Sequence, residues 1–230
     1  MLAPPTAGDH GGTRQPFPIY CPLSTVSLRM PLFPRVKNIL FKPKREWEII
    51  ATESTTITSL IFGYVLPLAL ISATAALIGW TFFGVQTPFV KLIGIRWGIY
   101  HALNIVLTFS STILIAAFLI DLIAPFFSSE KNISQSAKLI TYSLTPAFIG
   151  TIGSIVPEWA FIGYLLGLYG IYLWYLGIGP LKKTPDERQI AYMVVSVVLL
   201  ILIFGFVRTL IDMGLRPLLG VDPLPELKLH

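Results

Sequence analysis

Five long stretches without a charged residue constrain the fold of this chain more than any other feature. They cover residues 54–90, 97–120, 139–157, 159–181 and 189–207. The hydrocarbon core of a bilayer is about 30 Å thick, and about 20 helical residues cross it because a helix rises about 1.5 Å per residue. Lipid offers no hydrogen-bond partner to an open backbone, so we predict that each stretch holds a membrane-spanning helix.

The composition of the chain supports this prediction. The 230 residues are 54% hydrophobic and only 13% charged, with a mean hydropathy of +0.72. Soluble domains are about 45–50% apolar and about 25% charged, and a soluble chain of this length cannot bury so much apolar surface. We therefore predict an all-α, polytopic membrane protein, a bundle of five transmembrane helices. The predicted spans are 58–83, 97–121, 138–156, 159–179 and 188–210.

The amino-terminal part of the chain has a different composition. Residues 1–34 are rich in proline and glycine without a helical or strand period, which is typical of a disordered extension. The single cysteine, Cys21, excludes an intrachain disulfide. Met30 opens a more ordinary amino terminus, so one hypothesis is that it is the native start.

A basic, amphipathic segment is predicted over residues 35–57, ahead of a transmembrane domain at 58–211 and a carboxy-terminal tail at 212–230. Interfacial anchoring, by lipid contacts of aromatic and basic side chains, is predicted for this segment. The alternative is a solvated helix docked on protein. The anchors predicted here and before the last span are Trp47, Lys44, Arg45, Lys182 and Lys183.

Two span boundaries carry local turn patterns. Before the fifth span, Thr184 is predicted to cap the helix, with Pro185 at its first position and Glu187 closing a capping box. Between the third and fourth spans, residues 156–159 are predicted to form a tight hairpin. Both turns are short enough to make the adjoining helices antiparallel neighbours.

The distribution of Lys and Arg predicts the orientation of the chain in the membrane. With five spans the two termini lie on opposite sides, and the side of the amino terminus carries 12 of the 17 Lys and Arg residues. Cytoplasmic segments are enriched in these residues. The amino terminus is therefore predicted to be cytoplasmic and the carboxy terminus outside, and the membrane is the plasma or inner membrane if the chain is prokaryotic.

Ionisable residues inside the spans are candidates for function, because they cost about 2.5–3.5 kcal/mol on insertion scales. Asp121 ends the second span, where it is either hydrated at the interface or turned into the bundle to pair with Tyr64 or Tyr142. Prolines free backbone carbonyls at a similar depth. The candidate polar cluster comprises Tyr64, Pro67, Asp121, Pro125, Tyr142 and Pro146.

Small residues on one face of the fourth span let a neighbouring backbone approach closely. They are Gly163, Gly167 and Gly170. The face serves either helix packing within the chain or homodimerisation.

In the second span, His101 and Asn104 lie one turn apart and are predicted to hydrogen-bond across helices. No metal or cofactor site is predicted, because the other histidines lie in the tails.

The second half of the chain carries an ordered set of motifs. A polar loop leads into a helix with Tyr142 and Pro146, a helix rich in glycine and tyrosine follows, and residues 182–185 turn into the last span. The first span and Asp-Leu-Ile-Ala-Pro at 121–125 fit the same pattern. Over about residues 36–211 these features resemble the prokaryotic members of the Yip1 family. The resemblance implies a five-helix membrane fold with a cytoplasmic amino terminus and no catalytic residues.

The resemblance also bears on function. Eukaryotic relatives act in vesicle traffic and contact small GTPases, but this chain lacks an Asp-Leu-Tyr-Gly-Pro box before its first span, so GTPase binding is not carried over. Enzyme motifs are absent, and the basic residues adjoin apolar segments, which favours lipid over nucleic acid. We expect a non-enzymatic membrane organiser or adaptor that contacts lipids, other membrane proteins or a second copy. The alternative is a small transporter or channel subunit that uses the proline-broken helices and Asp121.

Overall fold

The computed structural model describes residues 31–86, 91–156 and 159–221. Met30, most of the predicted disordered extension and the centre of the predicted hairpin at 156–159 lie outside the described residues. The described residues form nine α-helices and one short antiparallel strand pair. The helices are α1 (Leu32–Phe41), α2 (Pro43–Thr52), α3 (Ile57–Leu60), α4 (Leu66–Ile78), α5 (Ile95–Ile123), α6 (Ile133–Ser143), α7 (Thr145–Ile152), α8 (Ala160–Lys182) and α9 (Asp186–Leu219).

Helices α3 and α4 belong to one continuous helix, Ile57–Phe83. Thr56 caps its start, because the Thr56 hydroxyl accepts a hydrogen bond from the backbone N–H of Ser59 at 3.2 Å. A π-helical turn at Ile61–Val65 stands immediately before the turn that contains Pro67. Proline has no N–H to donate, and the wider turn accommodates the interrupted hydrogen-bond ladder.

A second π-helical turn, Gly79–Phe83, ends this long helix. The chain then reverses through the strands Val85–Gln86 and Lys91–Leu92, which pair antiparallel. Gly84 joins the helix to the first strand with a φ of 59°. Only glycine adopts this left-handed conformation without strain, so the sharp exit from the helix depends on the missing side chain.

Four helices among the described residues are long and apolar enough to cross a membrane. This finding confirms the predicted all-α fold and makes the chain an integral membrane protein. The four are Ile57–Phe83, Ile95–Phe127, Phe161–Lys182 and Asp186–Leu219.

The predicted third span differs from these four because it is interrupted. Helix α6 ends at Ser143, Leu144 forms a turn, and α7 begins with Pro146 in its first turn. Pro146 cannot donate a backbone hydrogen bond to the preceding turn. The predicted third span, 138–156, is therefore divided at Leu144 into two helices, and the count of five crossings stays a prediction.

The interrupted segment nevertheless runs from one end of the bundle to the other. We call the end that holds Asp121 and Lys182 the near end, and α6 begins there because the N–H of Asn132 donates to Asp121 at 2.7 Å. We call the opposite end, where α5 begins, the far end. The 3-10 turn that follows α7, Gly153–Ile155, contacts the π-helical turn Gly79–Phe83 at the far end.

The interior and the exterior of the bundle are both apolar. Side chains such as Ile113, Ile140 and Phe148 are fully buried in one continuous core. Large hydrophobic side chains also cover the outer surface of the long helices, as expected where lipid is the surrounding solvent. Exposed examples are Leu70, Leu107, Leu114, Phe118, Leu165, Leu168, Ile201, Leu202 and Phe206.

Three predicted boundaries need correction. Helix α1 already begins at Leu32, and α9 continues to Leu219, well into the predicted tail. At the start of α9 the N-cap is Pro185, without a side-chain cap. The Thr184 hydroxyl, predicted to cap this helix, instead shares a hydrogen bond of 2.8 Å with Ser129 in the loop before α6.

Candidate functional site

Helices α1 and α2 are docked on the bundle. Trp47 is fully buried, and a side chain added at Gly177 of α8 would meet the Trp47 ring at 2.9 Å. Tyr169, also of α8, donates its hydroxyl to the backbone carbonyl of Leu40 at 2.6 Å. The segment therefore has the protein contacts of the docked alternative, and one of its faces packs on the bundle.

A buried ion pair fixes α1 against α2. Arg35 donates to the carboxylate of Glu46 at 2.6 Å, with both side chains almost completely buried, and it also binds Glu53. The guanidinium lies 5.7 Å from the ring centre of Tyr142 in α6. Burial alone disfavours the charged guanidinium, but the hydrogen bond to Glu53 and the charge of Glu46 outweigh it, so the pKa of Arg35 is raised.

Two side chains of α6 donate hydrogen bonds to backbone carbonyls at the carboxy-terminal end of α2. The buried Lys138 ammonium donates to the backbone carbonyl of Ile50 at 3.1 Å and to that of Glu53. The Gln135 amide donates to the carbonyl of Ala51 at 3.2 Å. The last carbonyls of a helix lack partners within the helix. Lys138 and Gln135 therefore supply the hydrogen bonds that the carbonyls at the end of α2 would otherwise lack.

A second buried ion pair lies at the near end. The Lys182 ammonium of α8 is fully buried and donates to the Asp121 carboxylate of α5 at 2.7 Å. Ser136 of α6 donates to the same carboxylate oxygen at 3.0 Å and accepts from Lys182 at 2.8 Å. Together with the N–H of Asn132, these groups give the carboxylate the partners that a buried charge requires. Asp121 thus faces the bundle.

The tyrosines predicted to pair with Asp121 form a separate group. Tyr64 and Tyr142 meet edge to face with ring centres 4.8 Å apart, and the Tyr64 hydroxyl shares a hydrogen bond of 2.8 Å with Thr145. Six helical residues, about 9 Å, separate Tyr142 from the Ser136 that binds Asp121. The predicted pairing is wrong, because the carboxylate takes Lys182 as its charged partner.

The three prolines of the predicted cluster divide in the same way. Pro67 lies in the first turn of α4 and Pro146 in the first turn of α7, next to the Thr145 that binds Tyr64. Pro125 lies in a 3-10 turn, Ala124–Phe127, that continues α5 beyond Asp121. The six residues therefore form one tyrosine group and one carboxylate group, rather than a single cluster.

The five predicted anchors also divide into two kinds. Lys44, Arg45 and Lys183 are exposed. Trp47 and Lys182 are completely buried, which corrects the prediction that they lie at the lipid interface. Their surroundings give the reason: the indole fills a space beside a glycine, and the ammonium has a buried carboxylate to neutralise it.

The glycine face of α8 serves two different purposes. A side chain at Gly170 would lie 2.7 Å from the carbonyl oxygen of Ser143, and Gly163 packs on the backbone of Gly150 in α7. These two glycines permit close packing of helices within the chain. A side chain at Gly167, between them, would meet nothing within 4 Å.

That open space belongs to a cavity of about 510 Å³ between α5, the α6–α7 turn, α8 and α9. Most of its lining is apolar, with Phe109, Trp174 and Phe204 among the large side chains. Asn104 and Thr108 contribute polar groups, and Arg208 lies at its edge. Asp121 does not line this cavity.

A polar group at the far end joins α5 to α9. Asp212 accepts hydrogen bonds from Tyr100 at 2.7 Å and from Asn104 at 2.5 Å, which confirms a hydrogen bond between helices for Asn104. The guanidinium of Arg216 lies 3.7 Å from the same carboxylate. His101 stacks on Trp80, with ring centres 3.8 Å apart.

Sequence reasoning missed Asp212 and Arg35 as paired groups. Asp212 fell in the predicted tail, although the helical sequence continues past it without interruption. Arg35 belongs to the segment predicted to be basic and amphipathic, and no pairing with Glu46 was predicted. The opposite charges of Asp121 and Lys182 at the same predicted end of the bundle were the clearest indication of a pair.

The described residues hold no group of three His, Cys, Asp or Glu side chains suited to a metal ion. A family model described as Yip1 domain matches residues 37–208. No curated protein and no solved structure matches the chain.

Proposed function

We propose that this chain, which belongs to the Yip1 family, is a non-enzymatic membrane adaptor that presents a rigid, positively charged surface on the cytoplasmic side. The surface consists of the exposed sides of α1 and α2, and we call it the basic platform. Its exposed basic and aromatic residues are Phe33, Lys37, Phe41, Lys42, Lys44 and Arg45, and Glu48 is the one exposed acidic residue among the residues of these two helices.

The observation that carries the proposal is the way the basic platform is held. Arg35, Glu46 and Trp47 are almost completely buried beneath it, whereas Lys44 and Arg45 next to them in sequence are exposed. A segment that contacted only the lipid surface would have no buried ion pair or buried indole between itself and the bundle. Fixed basic and aromatic side chains suit anionic lipid headgroups and acidic partner proteins.

We further propose five crossings, with the interrupted α6–α7 segment as the third. Its first turn is bonded to Asp121 at the near end and its last turn contacts Gly79–Phe83 at the far end, which supports a complete crossing. Five crossings place the termini on opposite sides. The excess of Lys and Arg on the near side supports a cytoplasmic amino terminus.

A transport function has less support. Asp121, the charge that a transport path was expected to use, is neutralised by Lys182 and does not line the cavity of about 510 Å³. Polar paths for ions or substrates in transporters are lined by groups that remain available to the cargo. The distribution of charge therefore favours an adaptor.

Orientation is tested by labelling single cysteines in intact cells with a membrane-impermeant maleimide, in a Cys21→Ser background. Lys44→Cys should be labelled only after the cells are opened, whereas Arg96→Cys, exposed at the far end, should be labelled in intact cells. Labelling of both positions from one side would overturn the crossing scheme.

The adaptor role is tested with a photo-crosslinking amino acid at position 44, compared with the same amino acid at position 96. Discrete crosslinks to membrane proteins are expected from position 44. They should be lost in the Lys42→Glu/Arg45→Glu variant and retained in Arg216→Gln, whose charge lies at the far end. Crosslinks that persist after the charge reversal would contradict docking on the basic platform.

A further inference from the structure

The cavity of about 510 Å³ opens sideways, toward the lipid. Leu168 of α8 and Ile201 of α9 both line it, and 63% and 61% of these side chains remain exposed on the outer surface of the bundle. The opening forms because α9 packs along α5, whereas α8 packs against α6 and α7. Binding cavities for small molecules have volumes of about 300–1,000 Å³, so this one has room for a ligand that arrives from the membrane.

Gly167 keeps the cavity open. Its neighbours Gly163 and Gly170 are in close contact with other backbones, but a side chain at Gly167 would meet nothing within 4 Å. Most residues at this position would fill the space between α8 and α9. The missing side chain at Gly167 therefore contributes to the open space between α8 and α9.

The edge of the cavity is positively charged. Arg208 lines it with about half of its side chain exposed, and its distance to Asp212 is 4.0 Å. Arg216 and the hydrogen bonds of Tyr100 and Asn104 already compensate Asp212. Two arginines beside one carboxylate leave one net positive charge, which attracts an anion.

Arg208 also lies at the right depth for a lipid headgroup. It follows Arg188 by 20 helical residues, a rise of about 30 Å and thus about one hydrocarbon thickness. No charged residue lies between the two. A phosphate beside Arg208 would therefore stand at the far surface of the membrane, with the apolar cavity directly beneath it.

A polar group without a partner lies at the inner part of the cavity. Ser143, at the end of α6, lines the cavity and is 2% exposed, and its hydroxyl has no hydrogen-bond partner. A buried hydroxyl without a partner is costly. A water molecule that enters the cavity to this depth would accept its hydrogen bond.

We propose that the cavity binds one anionic phospholipid of the far leaflet, with an acyl chain between α8 and α9 and the phosphate at Arg208. This inference concerns the opposite end of the bundle from the basic platform and does not depend on that platform. A second copy of the chain is a poorer occupant, because a helix is about 10–12 Å wide and the cavity holds only about one of its turns.

The test uses the full chain in phosphatidylcholine vesicles that contain a phosphatidylglycerol with a photoactivatable group on one acyl chain. Crosslinks are expected on α8 and α9 around Leu168 and Ile201. Gly167→Leu narrows the cavity and should lower labelling about tenfold, the effect of about two methylenes losing their contacts. Gly205→Leu is the matched control, because Gly205 is equally open but does not line the cavity.

The headgroup contact is tested separately with Arg208→Gln. Labelling by phosphatidylglycerol should fall about fivefold relative to a phosphatidylcholine probe with the same acyl group, since one basic residue contributes that much at a membrane surface.

If Gly167→Leu does not fold, Gly167→Ala should still lower labelling in part. The proposal is overturned if Gly167→Leu and Gly205→Leu label equally, or if Gly167→Leu abolishes self-association and leaves lipid labelling unchanged.

Discussion

The ion pairs Asp121–Lys182 and Arg35–Glu46 at the near end are enclosed by protein, whereas the arginines around Asp212 at the far end are half exposed. Lys182 and Asp121 are 0% and 7% exposed at the near end, and Arg35 with Glu46 is buried to a similar degree. At the far end, Arg208 and Arg216 retain about half of their exposure around Asp212. Water or lipid headgroups therefore still contribute to the far group, while the near groups depend on protein partners alone.

This difference shows what each end contributes to the fold. A buried ion pair adds little net stability, because both ions lose their hydration, but the loss of one partner leaves an isolated charge. The near pairs therefore act mainly by excluding other ways of packing the helices. Asp121 must meet Lys182, and Arg35 must meet Glu46, whereas the far group tolerates movement and leaves room for the cavity.

The largest effect is expected from Lys182→Met, which leaves Asp121 buried without its charged partner. The free energy of unfolding in detergent micelles should fall by about 3–5 kcal/mol. Addition of Asp121→Asn should restore most of this loss, because the unpaired charge is then removed. A loss below that of the far-end variants, or no recovery in the double variant, would show that the near end is not the more enclosed one.

A smaller effect is expected from Gly170→Ala, which places a carbon close to the Ser143 carbonyl. The helices must shift, and the free energy of unfolding should fall by about 1–3 kcal/mol. Gly167→Ala, one turn away and facing the cavity, should leave this free energy unchanged or slightly raise it. Equal losses in the two variants would mean that the open half of α8 is packed as tightly as the other.

Asp212→Asn should have a still smaller effect. The amide keeps most of the hydrogen-bonding geometry with Tyr100 and Asn104, and hydrogen bonds between membrane helices contribute about 0.6 kcal/mol each, up to about 1.7. We expect a loss in this range from the same unfolding measurement. A loss as large as that of Lys182→Met would place the far group among the enclosed ones.

The smallest effect is expected from Lys183→Met. Lys183 follows Lys182 directly, but its pair with Glu130 is exposed at both side chains. Exposed ion pairs contribute at most about 1 kcal/mol, so the unfolding free energy should barely change. This variant is the matched control for Lys182→Met, and a comparable loss would show that position along α8, rather than burial, determines the effect.

The membrane helices could be predicted from the sequence because lipid excludes charge uniformly. The predicted spans 58–83 and 97–121 match Ile57–Phe83 and α5 closely, without knowledge of their neighbours. A free backbone carbonyl one turn before Pro146 could be predicted, but only the structure shows that the third segment divides there into two helices. The extent of a kink depends on how the helix packs against its neighbours, and the sequence of one helix does not show which helices those are.

The partners of the buried charges could not be predicted for the same reason. A lysine at the end of an apolar helix usually extends toward water, which led to the interfacial prediction for Lys182. Its inward direction follows from the position of Asp121 on another helix, 61 residues earlier. Basic residues closely precede Trp47 in the sequence, as is typical of a tryptophan at the lipid interface. Its burial is explained by Gly177 of α8, which has no side chain and leaves space for the indole.

The docking of α1 and α2 has a consequence for the order of events during synthesis. The carbonyl of Leu40 and the hydroxyl of Tyr169 that binds it are 129 residues apart. At about 5–20 residues per second, the ribosome needs about 10 s to reach α8 after it has made α1. Helices α1 and α2 therefore remain without their contacts to α8 during this time, and α8, one of the last two helices to be made, is the one that holds them against the bundle.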